Sequence, residues 1–196
     1  MAAFPKLKLM QFPLVQDRET SEANFWKSYQ ITHEEKLFGG PNYIHFDPSG
    51  SGQYIVTGST KVSLYDPISD NVQRSFSRFE DDAYSGKFRR DGKLLVAGDK
   101  TGHVKVFDVV TKAVLRQLKG HTSAVRAATW TQDALHMLSG SDDKSMCVWD
   151  LATGVEYWRG SHGHSDYIRC VDASPVDNNI VLSGSYDHSS CLWDTR

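Results

Sequence analysis

Two sets of histidine, serine and aspartate residues recur in the second half of the sequence. One set is His121, Ser139 and Asp143, and the other is His164, Ser183 and Asp187. These are the residue types of a catalytic triad, in which an aspartate orients a histidine that takes the proton of a serine nucleophile. Acyl transfer is therefore the first chemistry that the sequence suggests.

The repetition of the set favours a structural role over catalysis. Each aspartate is followed six residues later by a tryptophan, Trp149 or Trp193. A buried indole N–H needs a hydrogen-bond partner, and a serine hydroxyl can both accept and donate. An active site would occur once, with oxyanion donors and a cleft, for which the sequence shows no signal. We therefore predict no catalytic residues and a chain that is not an enzyme. The predicted structural hydrogen-bond network consists of His121, Ser139, Asp143 and Trp149, repeated as His164, Ser183, Asp187 and Trp193.

Both sets belong to a repeated unit. Residues 120–150 and 163–194 open with Gly-His, pass through Leu-Ser-Gly-Ser and close on Trp-Asp. Weaker copies close at residues 66 and 108, so the closing aspartates follow one another at intervals of 42, 42 and 44 residues. A period of about 40–45 residues with these marks is the signature of the WD40 propeller blade. The predicted fold class is an all-β WD40 β-propeller with about four blades in this chain, and residues 113–118 and 155–160 are predicted outer strands.

The remaining N-terminal residues divide into two parts. Residues 1–24 show no clear period and are interpreted as an N-terminal extension, whereas residues 25–196 are assigned to the propeller. Residues 25–38 are predicted to contain a ring-closing strand, with residues 28–32 as the candidate, because an open ring exposes sheet edges to water. We expect the four blades to be part of a longer protein with a ring of about seven blades, within the roughly 4–8 of known propellers. A four-bladed ring closed by the N-terminal segment is the alternative.

The first two repeats lack the polar set. In repeat two its four positions hold Phe79, Ala97, Thr101 and Phe107, and repeat one keeps only Thr57. The loss of all the polar residues together is expected if the network is buried, because a half-satisfied buried network is less stable than an apolar core. Apolar packing is therefore predicted there.

Composition and charge exclude several classes of function. The net charge is −2 and the sequence pI is about 6.4, so any nucleic-acid contact must come from a local patch. No apolar run approaches the roughly 18 residues that span a bilayer. The three cysteines, Cys147, Cys170 and Cys191, are predicted to be buried, reduced thiols of the cytosol or nucleus. His162 and His164 with Cys170 match no zinc spacing, so neither a metal nor a cofactor is expected.

Two groups of surface residues are candidate contacts with a partner protein or RNA. Arg89, Arg90 and Lys93 lie in a predicted turn of repeat two, where simple solvation is the alternative. Arg126, Tyr167 and Arg169 fall where the first strands of repeats three and four begin, and exposed tyrosine and arginine are favoured interface residues. Most surface arginines are merely solvated.

At finer grain the sequence resembles one family of WD40 proteins. The resemblance rests on FWKSY at 25–29, FSRF at 76–79, AY at 83–84, FR at 88–89, DGKLLVAG at 91–98, HSDYIRC at 164–170 and GSYDH at 184–188. The chain is similar in these segments to the U3 small nucleolar RNA-associated protein 15 family, over residues 25–196. Thr101 departs from the acidic residue expected in its hairpin.

The resemblance implies a non-catalytic scaffold of the small-subunit processome, the U3 ribonucleoprotein of the nucleolus. Such proteins bind near the 5′ end of the ribosomal RNA precursor, support 18S rRNA maturation and in some settings transcription by RNA polymerase I. Implied partners are other processome subunits and the pre-rRNA or U3 RNA, with no membrane and no small-molecule substrate. Further blades and a helical C-terminal domain are implied as well. The alternative is a WD40 adaptor or substrate receptor that binds peptides or phosphopeptides in another complex.

Overall fold

The computed structural model describes residues 20–29, 34, 36, 37, 39–69 and 71–196. The chain divides into two units, residues 1–35 and residues 36–196, and each is described by itself. Within the described residues, no helix has the length and apolar character needed to cross a membrane.

The described part of the first unit forms one short helix, α1, over Ser21–Lys27. Thr20 caps the helix, because its hydroxyl accepts a 3.1 Å hydrogen bond from the backbone N–H of Ala23. Phe25 and Tyr29 lie four residues apart on one face, and their rings meet edge to face at 5.3 Å.

This helix occupies part of the segment in which the sequence predicts a ring-closing strand. The strand prediction for residues 25–38 is wrong for residues 25–29, which form the end of α1, its C-cap Ser28 and the residue after it. The capping threonine and the aromatic pair at helical spacing stabilise a local helix there. Residues 30–33, 35 and 38, including most of the candidate strand at 28–32, lie outside the described residues.

The second unit contains the strands of the described chain. Their bounds are β1 Pro41–Phe46, β2 Tyr54–Gly58, β3 Lys61–Tyr65, β4 Val72–Phe76, β5 Lys87–Phe88, β6 Leu94–Gly98, β7 His103–Asp108, β8 Val114–Lys119, β9 Val125–Trp130, β10 His136–Ser141, β11 Met146–Asp150, β12 Glu156–Gly160, β13 Ile168–Ala173, β14 Ile180–Ser185 and β15 Ser190–Asp194.

Consecutive strands pair antiparallel into four sheets, which we call blades 1 to 4. Blades 1, 2 and 3 are β1–β4, β5–β8 and β9–β12, and blade 4 has the three strands β13–β15. The predicted all-β blade architecture is confirmed, and the outer strands predicted at 113–118 and 155–160 correspond to β8 and β12.

The first strand of blade 2 is short. Only Lys87–Phe88 pair regularly, while Ala83 makes an isolated bridge to Asp99. Between them the backbone N–H of Gly98 donates to the Ser85 hydroxyl at 3.1 Å. A side chain therefore takes a hydrogen bond that a continuous strand would have made through its backbone.

The hairpin between the second and third strands reuses one turn in blades 2, 3 and 4. Gly102, Lys144 and His188 occupy the same turn position and have φ values of 89°, 68° and 66°. In blade 1 the hairpin is one residue shorter between equivalent paired residues, and Ser59 adopts φ 52° instead. In blades 3 and 4 the residue before this turn position is Asp143 or Asp187, whose carboxylate contacts His121 or His164.

Each blade packs through two opposite faces, because side chains alternate along a strand. In blade 3, Met137, Cys147 and Trp149 pack against blade 2 in one buried cluster. Leu138 and Val148, on the opposite face, pack against blade 4 in another. Neighbouring blades therefore share their cores in chain order.

The outer faces of blades 1 and 4 carry exposed apolar side chains. Leu182 and Leu192 of blade 4 correspond to the buried Leu138 and Val148 of blade 3, yet they are 47% and 72% exposed. On the opposite side of the unit, Ile44 of blade 1 is also exposed. These faces have the composition of a blade interface without a covering sheet among the described residues.

Candidate functional site

The polar set of blade 3 forms one continuous hydrogen-bonded chain. His121 Nδ1 lies 2.8 Å from Asp143 Oδ2, and His121 Nε2 lies 2.8 Å from Ser139 Oγ. The indole N–H of Trp149 donates to the same Ser139 oxygen at 2.8 Å. Because a carboxylate only accepts, Nδ1 carries the proton, and the serine hydroxyl donates to Nε2.

Blade 4 repeats this geometry within 0.1 Å. The distance from His164 Nδ1 to Asp187 Oδ2 is 2.9 Å, and that from His164 Nε2 to Ser183 Oγ is 2.7 Å. Trp193 Nε1 donates to Ser183 Oγ at 2.7 Å. All eight residues predicted to form the two networks are thus brought together in two groups of four.

The arrangement positions each serine as a junction between two buried rings. Ser139 and Ser183 have virtually no exposed surface. Each hydroxyl oxygen accepts from an indole while its hydrogen faces an imidazole, so nothing is left to reach a substrate. The geometry therefore suits cross-linking of strands within a blade.

In each Gly-His pair the glycine leaves room for the tryptophan of the same network. A Cβ at Gly120 would lie 2.8 Å from Trp149 Cη2, and one at Gly163 would approach Trp193 Cη2 even more closely. Only glycine lets the chain pass over the indole at this distance.

The electrostatics of the networks favour the ionised aspartates. Burial alone would raise the pKa of Asp143, but hydrogen bonds from His121 and Ser145 outweigh burial and hold that pKa well below its usual range. For Asp187, the hydrogen bond from Ser189 is the largest cause of a similar lowering of the pKa. Burial also raises the pKa of the Cys147 thiol to about 12, so this cysteine stays protonated.

In blade 2 the sequence predicts apolar packing in place of the polar network, but the structure also places charged residues there. Phe79, Ala97 and Phe107 are buried as expected, but Lys105 and Asp99 are buried with them. Lys105 Nζ donates to Arg78 O at 2.6 Å and lies 3.6 Å from Asp99 Oδ2. It also lies 5.3 Å from the centre of the Phe79 ring.

Register explains why sequence reasoning missed this ion pair. Lys105 pairs with Ala97 as Cys147 pairs with Ser139, so the lysine occupies a cysteine position outside the predicted set. The second member, Asp99, accepts from the backbone and hydroxyl of Thr101, which stands at the predicted aspartate position. Reading alternate residues of the third strand could have identified the lysine.

Register also corrects the assignment in blade 1. Tyr65 pairs with Tyr54 as Trp149 pairs with Met137, which makes Val56 the equivalent of Ser139. The assignment of Thr57 to the serine position is therefore wrong by one residue. Thr57 precedes Gly58 as Ser139 precedes Gly140, so the two residues match in sequence although strand pairing places them one position apart.

The predicted contact residues of repeats three and four meet at one end of the blades. Arg126 donates Nε to Asp142 Oδ2 at 2.8 Å, and its Nη2 lies 2.8 Å from the same oxygen. Arg169 Nη1 lies 3.5 Å from the other oxygen, Asp142 Oδ1. Tyr167 lies beside Arg169, whose guanidinium carbon is 5.5 Å from the tyrosine ring centre. The sequence did not single out Asp142, which joins the two arginines.

The basic residues of repeat two lie elsewhere, in the turn between β5 and β6. Arg89 pairs with Asp91, with Nε to Oδ1 at 3.0 Å. The backbone N–H of Lys93 donates to the same carboxylate at 3.1 Å. Arg90 lines a shallow cavity with Gln132 on the neighbouring turn of blade 3. The structure thus separates Arg89, Arg90 and Lys93 from Arg126, Tyr167 and Arg169.

No metal site accompanies these groups in the part of the chain that the structure describes. Within it, no three histidine, cysteine, aspartate or glutamate side chains lie close enough to hold an ion. All three cysteines are free thiols, but the predicted burial is right only for Cys147: Cys170 is exposed and Cys191 is partly exposed.

Comparison with known proteins agrees with this geometry. Residues 112–150 and 158–194 match the family described as WD domain, G-beta repeat. The U3 small nucleolar RNA-associated protein 15 homolog of Xenopus laevis is 39% identical over 180 residues, which cover 92% of this chain and 35% of that protein. U3 small nucleolar RNA-associated protein 15 of Saccharomyces cerevisiae is 33% identical over 99% of this chain and 38% of its own length. Protein SLOW WALKER 1 of Arabidopsis thaliana is 37% identical over 85% of this chain and 31% of its own length.

The blades, their repeated network and the family match define a WD40-repeat β-propeller protein. Its predicted resemblance to the U3 small nucleolar RNA-associated protein 15 family is confirmed over most of the chain. The chain spans about a third of the length of these curated relatives.

Proposed function

We propose that this chain acts as a non-catalytic scaffold in the small-subunit processome, the U3 ribonucleoprotein of the nucleolus. The observation that carries the proposal is the 33–39% identity to proteins named for their association with U3 small nucleolar RNA, over 92–99% of this chain. In this role the chain supports pre-rRNA processing and 18S rRNA maturation through contacts with other subunits.

The polar networks support a scaffold rather than an enzyme. Both serine hydroxyls are committed to an imidazole and an indole, and both are buried. A rigid blade with loops at both ends suits protein binding, because interfaces commonly form on loops that a stable framework positions.

The exposed apolar faces support a larger ring. Leu138 and Val148 are buried where blade 4 covers blade 3, whereas their counterparts Leu182 and Leu192 are exposed. We propose that further blades pack on these faces and complete a ring of about seven, since exposed patches of this kind mark interaction surfaces.

The test uses the full-length protein, tagged in cells that normally express it. Purification of the tagged protein should enrich U3 RNA over an abundant spliceosomal RNA, and imaging should place the protein in nucleoli. Depletion should lower mature 18S rRNA and raise its precursors, with 28S rRNA as the internal control. A cytoplasmic protein that recovers no more U3 RNA than the untagged control would refute the proposal.

A role in transcription by RNA polymerase I is a separate part of the proposal. It predicts that nuclear run-on synthesis from ribosomal DNA falls within the first hours of depletion, before mature ribosomes decline. Unchanged synthesis alongside defective 18S maturation would limit the role to processing.

A second candidate is an adaptor that binds peptides or phosphopeptides in another complex. The observation that favours it is the convergence of Arg126 and Arg169 on Asp142 at one end of the blades. This candidate predicts peptide binding by a protein that recovers no U3 RNA.

A further inference from the structure

The ends of the inner strands bring arginine and tyrosine side chains of three blades together. We call Tyr84, Arg126, Asp142, Tyr167, Arg169 and Tyr186 the arginine–tyrosine surface. It borders a cavity of about 190 Å³ that all four blades line, from Asn42 of blade 1 to Val171 of blade 4.

Stacking holds both arginines in place. The guanidinium carbon of Arg126 lies 3.9 Å from the centre of the Tyr84 ring, and that of Arg169 lies 4.3 Å from the Tyr186 ring. Cation–π contacts of this kind fix the plane of a guanidinium and leave its edge available for hydrogen bonds. The two planar donors are therefore preorganised.

The guanidinium of Arg169 has an unsatisfied hydrogen-bond donor within the part of the chain that the structure describes. Among the described residues, its Nε has no hydrogen-bond partner, although this atom is buried. Its Nη1 reaches Asp142 Oδ1 only at 3.5 Å, which is long for a charge-assisted hydrogen bond. Arg126, by contrast, holds Asp142 Oδ2 with two nitrogens at 2.8 Å. An additional acceptor at Arg169 would complete the site.

The cavity beside these arginines is lined by basic and not by acidic side chains. Lys87, Arg126 and Arg169 are among its lining residues, and no lining residue is a carboxylate. Lys87 lies 3.4 Å from Asp172, and Arg126 is neutralised by Asp142, so Arg169 is the cation with the most unused capacity. The site thus fits one anionic group.

The local charge favours a peptide over a nucleic acid. Affinity for RNA comes from several cations along a backbone of phosphates, and each neutralised phosphate adds to the salt dependence. Among the residues that line the cavity, only Arg169 has unused capacity, which is too few cations for a track of phosphates. Tyrosine and arginine around a small cavity are instead typical of protein interfaces.

We propose that the arginine–tyrosine surface docks a peptide segment of a partner protein, with an aspartate or glutamate side chain of that segment bound to Arg169. Flanking apolar residues of the segment pack on Tyr167 and Tyr186, which are 43% and 57% exposed. The proposal deepens the scaffold function, and it rests on that function only in assigning the partner to the processome.

The test measures direct binding to the purified full-length protein by fluorescence anisotropy. The probes are a library of labelled twelve-residue peptides with a central glutamate between leucine, phenylalanine or tyrosine residues, each with a twin that has glutamine in place of glutamate. We expect peptides that bind at least tenfold more tightly than their glutamine twins, a difference of about 1.4 kcal/mol.

Three variants locate the site. Arg169→Gln should weaken the binding of such a peptide at least tenfold, and Tyr186→Ala about three- to tenfold. Lys119→Gln, which removes an exposed cation from the outer strand β8, should change the affinity less than about twofold. Since Tyr186 is exposed, its variant remains informative even if Arg169→Gln lowers stability.

Several results would overturn the proposal. Equal affinity for the glutamate and glutamine peptides would show that the carboxylate is not recognised. An equal loss of affinity in Lys119→Gln would show that the peptide does not bind at the arginine–tyrosine surface. If only a phosphoserine version of the peptide binds, the ligand of this surface is a phosphopeptide. If a twenty-residue oligouridine binds in a salt-sensitive way and no peptide binds, the ligand is RNA. If the protein recovers U3 RNA but binds no peptide, only the peptide-docking proposal is refuted. If it binds peptide but recovers no U3 RNA, only the assignment to the processome is refuted.

Discussion

Ser139→Ala tests whether the buried network stabilises blade 3. The substitution removes the acceptor of the Trp149 indole and the donor to His121 in one step. Leaving a buried polar group unsatisfied costs about 1–3 kcal/mol. With two such groups and partial relaxation around a small cavity, we expect a loss of about 2–4 kcal/mol of unfolding free energy.

Ser183→Ala in blade 4 is the matched control. It breaks the same two contacts, but Trp193 is partly exposed, and water can replace the lost acceptor. The expected loss is about 1–2 kcal/mol, smaller than in blade 3.

Urea unfolding of the full-length protein, followed by tryptophan fluorescence and circular dichroism, measures both losses. Combining Ser139→Ala with Trp149→Phe in a double-mutant cycle should give a coupling energy above about 0.5 kcal/mol, because the two residues share a hydrogen bond. A loss below about 0.5 kcal/mol for Ser139→Ala, or a larger loss for Ser183→Ala, would refute the stabilising role or its dependence on burial.

Three further predictions concern buried charges and thiols. Lys105→Met should lower the unfolding free energy by about 3–5 kcal/mol, because it leaves Asp99 charged and buried. Adding Asp99→Asn should recover part of the loss, and urea titration of the single and double variants measures both effects. Hydrogen bonds that outweigh burial lower the folded-state pKa of Asp143, so its contribution to stability should be complete above the unfolded pKa of about 4 and should fall as the pH drops below it. Asp143→Asn should flatten that acid limb in thermal melts from pH 7 to pH 3, and an unchanged limb would contradict the assignment. Cys170, which is exposed, should react with a thiol reagent at pH 8 in the native protein, whereas Cys147, with its pKa raised to about 12 by burial, should react only after unfolding; mass spectrometry of the labelled peptides distinguishes the two.

Periodic features of the fold could be predicted from the sequence. The blades, their order and both outer strands follow from marks that recur at one interval, since a repeat must place equivalent residues equivalently. The network followed for the same reason, because His121 and His164 occur with identical partner types. Nothing comparable marks α1, which occurs once and depends on a cap and an aromatic pair.

The features that could not be predicted depend on register and on neighbours distant in sequence. The Lys105–Asp99 pair lies in an otherwise apolar core, where composition alone favours hydrophobic packing. The shift from Thr57 to Val56 follows from strand pairing, which the sequence does not show. Asp142 became visible as the link between Arg126 and Arg169 only when the β10–β11 hairpin came together with strands β9 and β13 of two blades.

The tryptophan of each network gives the row of blades a direction. Trp149 faces back toward blade 2, while the other face of its sheet is covered by blade 4. Each network is therefore shielded by the blade before it, and each blade's forward face by the blade after it, as in a one-dimensional chain of nearest-neighbour couplings. Disruption of blade 4 should consequently uncover the forward face of blade 3 but leave the Trp149 network covered by blade 2. A peptide bound at Arg169 would lie at the boundary between blades 3 and 4, because Arg169 of blade 4 also contacts Asp142 of blade 3.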